Sequence, residues 1–221
     1  FYATHFTRDN VVIGLGGGYD AALLSRLQAD LATLPAGAPA AVPALNPKPI
    51  TGLQVTLVEK KGASTSISMG FPIDALRGSK DWYALAIANS WLGEHRNSSG
   101  RLYNTIREAR GLNYGDYTYL EHFPGGGQRF FPPQNVARRQ QIFEIWIRPV
   151  PNDARHFALR AALREFQQLV ANGLTPAEFT LKRNFLKKYV LQYATTTDER
   201  LGYALDDVFY GLQESHLAKF R

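Results

Sequence analysis

The sequence predicts an α+β fold in which an antiparallel sheet has its helices packed on one face. The predicted order along the chain is strand, strand, helix, helix, strand, strand, helix, helix, helix, which is not a βα alternation. Strands that follow one another directly favour antiparallel pairing, and helices then gather on one face of the sheet. With 221 residues, 45% of them hydrophobic and 12% aromatic, the chain can also bury a substantial core.

The first part of the chain ends in a proline-rich stretch. Residues 11–15 form a short apolar run, which predicts a short buried strand, and the leucines after residue 20 recur at helical spacing. Residues 35–52 are rich in proline, glycine and alanine. Proline fixes φ and removes a backbone donor, so we interpret 35–52 as a semi-rigid linker and as the boundary between two domains.

The second domain is predicted to cover residues 53–221. Alternating patterns at 53–58 and 64–71, separated by a Lys-Lys-Gly turn, predict a hairpin. A helix, a Ser-rich turn, a shorter helix ended by Gly111 and a strand then follow. These elements are predicted at residues 81–91, 97–100, 102–109 and 114–122.

The last part of this domain begins with a long loop at 123–139 and a strand at 141–147. A long helix is predicted from residue 151 to Asn172-Gly173. Thr-x-x-Glu capping boxes at 175–178 and 196–199 predict the starts of the final helices, the first running to about residue 193 and the second toward Gly211.

Several chemistries are excluded or disfavoured by the motifs. The chain has no cysteine, so it has no disulfide, no thiolate metal ligand and no cysteine nucleophile. None of its histidines stands in a H-E-x-x-H or inverted H-x-x-E-H motif, so we expect this chain to bind no metal by itself, with most histidines at the surface or at helix ends. The glycines at 14–18 lack the third glycine of a dinucleotide loop, because Tyr19 occupies that place.

Charge and hydropathy restrict the partners. The net charge is +6, from 25 Lys and Arg against 19 Asp and Glu. The basic residues of the late helices lie opposite the apolar stripes, as on any solvated face, so we expect no nucleic-acid binding, although such a surface is a third alternative. No apolar run reaches the length of a membrane span, and we expect no membrane partner.

Two side chains flank the tight reversal at Gly111. Arg107 lies in the last helical turn and Tyr114 at the start of the next strand. A guanidinium and a phenol that converge on one point offer fixed donors to a carbonyl or oxyanion. The spacing alone favours the simpler interpretation, an exposed helix-end arginine and a half-buried strand tyrosine.

The segment around this reversal resembles the second domain of the pitrilysin/insulinase-type zinc metallopeptidases, which include the mitochondrial processing peptidase. Their order there is a small-residue turn with Arg-Leu, a helix ending in Ile-Arg-Glu, and Gly-Leu-x-Tyr at a strand start. Residues 99–102, 106–108 and 111–114 match it in order and spacing. Residues 2–20 resemble the end of the family's first domain and 53–73 the opening hairpin of its second.

The resemblance implies a half-chamber domain of a zinc metalloendopeptidase, with Arg107 and Tyr114 as the catalytic pair that binds the peptide substrate. It also implies residues 1–34 as the C-terminal tail of a preceding α+β domain and a second domain that lacks its final strand. Zinc would be held by another domain or a partner subunit, in a dimeric assembly, and not by this segment, which alone should be inactive. The alternative is a non-catalytic scaffold or interaction subunit of the same fold. The compartment stays undecided, with bacterial periplasm or exterior favoured over cytoplasm or mitochondrion.

Overall fold

The computed structural model describes residues 1–39, 41, 44–124 and 129–220. The α-helices are α1 (Tyr2–His5), α2 (Ala21–Ala32), α3 (Lys80–Leu92), α4 (Arg155–Asn172), α5 (Pro176–Tyr189) and α6 (Thr197–Phe209). The strands are β1 (Ser64–Ile73), β2 (Asp116–Tyr119) and β3 (Gln141–Pro151), and a π-helix spans Tyr103–Glu108. Short 3₁₀ turns lie at Arg8–Asn10, Val190–Gln192 and Ala218–Phe220.

The three strands form an antiparallel sheet in the order β1-β3-β2, which confirms the predicted fold class. In β3, Phe143, Ile145 and Ile147 point to one face and are buried there against α3 and α4. The side chains that alternate with them along the strand, such as Trp146 and Arg148, are half-buried on the opposite face. Period-2 alternation therefore separates a helix-covered face from a second face that is lined with polar and aromatic groups.

Helix starts and stops follow the local signals in the sequence. The side chains of Thr175 and Thr196 cap α5 and α6, and in both cases the Glu three residues later completes the capping box. Gly173, just past α4, has a φ of 64°, a left-handed conformation that costs a glycine little.

An ion-pair network fixes the C-terminal helices to the sheet. Arg77, only 3% exposed, follows β1 and donates both to the Glu121 carboxylate and, at 2.9 Å, to Asp206 of α6. The same guanidinium donates to the carbonyl of Pro133 at 3.2 Å. A single buried cation thus links elements that are far apart in sequence.

Two predicted strands were wrong. Residues 11–15 and 53–58 form no strand and pair with no strand among the described residues. Leu53 and Leu57 are 91% and 89% exposed, so the predicted hairpin has only its second strand, β1. Around Gly14 the chain lies directly against α6, with Leu201 Cδ1 only 2.5 Å from the place a Cβ would occupy. The alternating pattern shows a fit to a pleated surface, but a strand also needs a partner for its backbone groups.

The helix predicted after residue 20 is present as α2, but its leucine stripe is only partly covered: Leu23 is 49% exposed, whereas Leu27 and Leu31 are half-buried. Within the described ranges no helix combines the length and the apolar character that crossing a membrane requires.

Candidate functional site

The site is built on the short helical segment that enters the reversal at Gly111. Its residues Tyr103–Glu108 form a π-helix, in which the Ala109 N–H donates to the Asn104 carbonyl at 3.0 Å. Ile106 is fully buried and anchors the segment in the core. A single π turn shifts the side chains that follow relative to an α-helix, and such turns often occur at functional sites.

Gly111 ends this segment as the sequence predicts. Its φ of 66° lies in the left-handed region, and its N–H donates to the Arg107 carbonyl at 2.7 Å. The N–H of Leu112 reaches the Ile106 carbonyl at 3.3 Å, which completes a Schellman-type ending. The chain therefore turns back sharply, and Tyr114 returns to the level of the last helical turn.

The structure brings Arg107 and Tyr114 into contact. The guanidinium carbon of Arg107 lies 4.0 Å from the centroid of the Tyr114 ring, in a cation–π stack. The Tyr114 side chain is 76% exposed, and its ring covers the guanidinium. Arg107 Nε is buried and has no hydrogen-bond partner among the described residues. The Tyr114 ring, the more exposed of the two groups, lies on the solvent side of this contact.

A buried pair holds the loop that carries Tyr114. Asn113 Nδ2 donates to Asp116 Oδ1 at 2.8 Å and to the carbonyl of Arg148 at 3.1 Å, and the Tyr117 hydroxyl donates to the Tyr114 carbonyl. Asp116 is fully buried, and burial raises the pKa of its carboxyl from 3.8 to about 7, opposed by the hydrogen bond from Asn113. The loop is therefore tied to β3 by polar contacts on its inner side.

An open cleft of about 680 Å³ lies next to Tyr114. Its lining comes from the turn after α3, the reversal and the end of β3, and consists of His95, Arg96, Gly111, Leu112, Asn113, Tyr114, Gly115, Tyr117, Arg148 and Pro149. Arg96 stacks on Phe130 with its guanidinium carbon 4.2 Å from the ring centroid, and Arg148 stacks on Trp146 at the same distance. Arg96 also has a φ of 56°, uncommon for a residue other than glycine.

His95 forms the inner wall of this cleft and is 5% exposed, so it is not one of the surface histidines. Its Nε2 lies 2.8 Å from the carbonyl of Arg129, which can only accept, so Nε2 carries the proton. Nδ1 then accepts from the Tyr119 hydroxyl at 2.7 Å. Burial lowers the pKa of His95 to about 4, and the Arg96 and Arg148 charges act in the same direction against the carbonyl hydrogen bond. The imidazole is neutral at pH 7.

Of the described side chains, no His, Asp and Glu come together in a group of three or more that could hold a metal ion. His216 is also buried, but its Nδ1 pairs with Asp207.

Arg107 and Tyr114 were predicted from the sequence, whereas Arg96, Arg148 and the Asn113–Asp116 pair, which lie close to them in the structure, were not. The Asn-Tyr-Gly-Asp run at 113–116 could have signalled a polar turn. The convergence of Arg96 and Arg148 could not be seen, because it depends on which strand lies beside β2.

Comparison with known proteins gives one family and several similar folds. The family model described as "Peptidase M16 inactive domain" matches residues 1–186. Among curated proteins, no sequence matches the chain. A solved peptidase M16 inactive domain from Pseudomonas fluorescens is similar with a TM-score of 0.69 and 23% identity, over 99% of this chain and 48% of that one.

Other solved structures share this fold. A protease from Helicobacter pylori is similar with a TM-score of 0.65 and 14% identity, over 93% of this chain and 46% of that one. A chain of complex III2 from Candida albicans is similar with a TM-score of 0.68 and 17% identity, over 99% of this chain and 50% of that one. The chain thus spans about half the length of the solved chains it matches.

Proposed function

This chain belongs to the peptidase M16 family, and on that premise we propose that it supplies the substrate-binding pair of a zinc-dependent peptidase, Arg107 and Tyr114. The observation that supports the pair most directly is the 4.0 Å contact between the Arg107 guanidinium and the Tyr114 ring. Tyr114 lines an open cleft, and the loop that carries it is held by the buried hydrogen bond between Asn113 and Asp116.

In this proposal both side chains act on the peptide carbonyl that is cleaved. The buried Arg107 Nε has a hydrogen to donate and no acceptor among the described residues, which is an uncommon state for a buried polar group. The exposed ring of Tyr114 is free to move aside and present its hydroxyl. Together they would donate to the carbonyl oxygen and hold it as negative charge develops there.

The described residues do not fit a zinc site of their own. We therefore place zinc in another domain or in a partner subunit, and assign to this chain only the binding and orientation of the peptide. An assembly of this chain with a zinc-bearing half, in one polypeptide or as a dimer, follows from that assignment.

The experiment measures peptide hydrolysis by this chain assembled with its zinc-bearing half. We expect Arg107→Ala and Tyr114→Phe each to lower kcat/KM by about 100-fold, which is the effect of losing one donor to an oxyanion. Zinc content should stay unchanged, since neither residue is a ligand. Arg110→Ala is a matched control, because Arg110 also stacks on a ring, that of Phe157 at 4.7 Å, one turn further along. Full activity in both pair variants would refute the assignment.

A non-catalytic scaffold is the second candidate, and the family model's own description as an inactive domain favours it. It predicts that the wild-type assembly hydrolyses no peptide, and that Arg107 and Tyr114 affect neither assembly nor stability beyond the loss of their mutual contact.

A further inference from the structure

The cleft beside Tyr114 has a charge that the proposed pair does not explain. Arg96 and Arg148 both line it, from the turn after α3 and from the end of β3. Of the described residues that line the cleft, none is Asp or Glu. Asp116 next to the loop is buried and hydrogen-bonded to Asn113, and burial raises its pKa to about 7, so its negative charge is incomplete near neutral pH.

The two arginines act on the same small region. Burial raises the pKa of Tyr117, and the positive charges of Arg96 and Arg148 both oppose that rise. The same two charges help to lower the pKa of His95, so its imidazole is neutral at pH 7 and adds no positive charge to the cleft. Their guanidinium carbons lie 4.2 Å from the ring centroids of Phe130 and Trp146, so each charged group packs against an aromatic ring. A guanidinium held in this way is prepared to bind a carboxylate with little further loss of side-chain entropy.

Gly115 shapes the cleft around Arg148. A side chain at this position would place its Cβ 2.6 Å from Arg148 Cγ, and the Gly115 carbonyl accepts the Arg148 N–H at 2.7 Å. The absence of a side chain at position 115 leaves room for the Arg148 side chain beside the loop that carries Tyr114. A volume of about 680 Å³ is ample for one amino-acid side chain together with its backbone.

We propose that this cleft binds a carboxylate of the peptide substrate, next to the bond held by Arg107 and Tyr114. The inference rests on the proposed function and adds a preference for acidic peptides. The carboxylate can come from an Asp or Glu side chain or from the C-terminus of the peptide, because both present the same planar pair of oxygens to Arg96 and Arg148.

The test compares labelled peptides that share one sequence, bound to the chain and followed by fluorescence polarisation. The first has an internal Glu and an amidated C-terminus, the second has Gln and the amide, and the third has Gln and a free C-terminus. We expect the first or the third to bind at least about fivefold more tightly than the second, with a gain that shrinks at higher salt. Which of the two binds tightly identifies the source of the carboxylate.

Variants distinguish carboxylate binding in this cleft from nonspecific attraction to the positive charge of the whole chain. Arg96→Gln and Arg148→Gln should each reduce the preference to below about twofold, whereas Arg148→Lys, which keeps the charge but not the planar guanidinium, should keep only part of it. Arg139→Gln is the matched control, because Arg139 stacks on Phe209 at 5.7 Å and does not line the cleft. Unchanged thermal unfolding would show that each variant is folded. Equal binding of all three peptides, or a preference that survives in both Gln variants, would overturn the proposal.

Failure of the carboxylate proposal can be distinguished from failure of the proposed peptidase function. If the zinc-bearing assembly cleaves neutral and acidic peptides with equal kcat/KM, the carboxylate proposal is wrong and the Arg107–Tyr114 assignment stands. If no peptide is cleaved but the binding preference persists and depends on Arg96 and Arg148, the cleft is a carboxylate site on a non-catalytic chain.

Discussion

Asp116 should make the stability of this chain depend on pH in a way that one substitution removes. The carboxyl is fully buried, its Oδ1 accepts from Asn113 at 2.8 Å, and its Oδ2 has no partner among the described residues. Replacing it by Asn keeps the shape and the acceptor toward Asn113 but removes the titration. The Asp116→Asn variant is therefore expected to lose a defined part of the pH dependence of unfolding.

The sign and size follow from the pKa. Burial raises the pKa of Asp116 from 3.8 to about 7 in the folded chain. A carboxyl with a raised folded pKa stabilises the fold fully below its unfolded pKa, and this stabilisation is lost as pH rises through the folded value. Between pH 5 and pH 8 the wild type should lose roughly 2.5 kcal/mol of unfolding free energy through this group. For a chain of this size that corresponds to about 5–10 °C in Tm.

Thermal unfolding followed by circular dichroism at pH 5, 6.5 and 8 measures this loss. His95, with a lowered pKa, and Glu94, whose pKa burial raises, titrate equally in both proteins, so the difference between the two pH curves isolates Asp116. Asp153→Asn, at an exposed position, should keep the pH dependence of the wild type. If Asp116→Asn unfolds with the same pH dependence as the wild type, the carboxyl is not buried as described.

Three further predictions concern stability. Arg77→Ala leaves Glu121 and Asp206 without their shared cation and should lower the free energy of unfolding by roughly 3–5 kcal/mol in urea; a loss below about 1 kcal/mol would contradict the network. Gly111→Ala forces a φ of 66° on a residue with a Cβ and should cost about 1 kcal/mol, or a few degrees in Tm. Thr175→Ala removes the capping box of α5 and should also cost about 1 kcal/mol, measured by the same melts, whereas Thr175→Ser should cost much less.

The helical half of the fold could be predicted because its signals are local. The capping boxes at Thr175 and Thr196 and the glycine stop at Gly111 each depend on residues within a few positions of one another. The strands at 11–15 and 53–58 were wrong for the opposite reason. The apolar run at 11–15 and the alternation at 53–58 are real, but a strand exists only where a second strand accepts its hydrogen bonds, and the sequence does not contain that information in any local window.

The same distinction divides the candidate site. Arg107 and Tyr114 stand on either side of one tight reversal, so their 4.0 Å contact follows from a few residues around Gly111 and was within reach of sequence reasoning. Arg148 comes from β3, and it joins the cleft because Ile147 pairs with Asp116, which places the end of β3 beside the loop. A one-residue slip in that register would turn Arg148 toward the core face. The groups proposed to hold the peptide backbone are therefore readable in the sequence, whereas the groups proposed to select its side chain are set by strand pairing and become visible only in the folded chain.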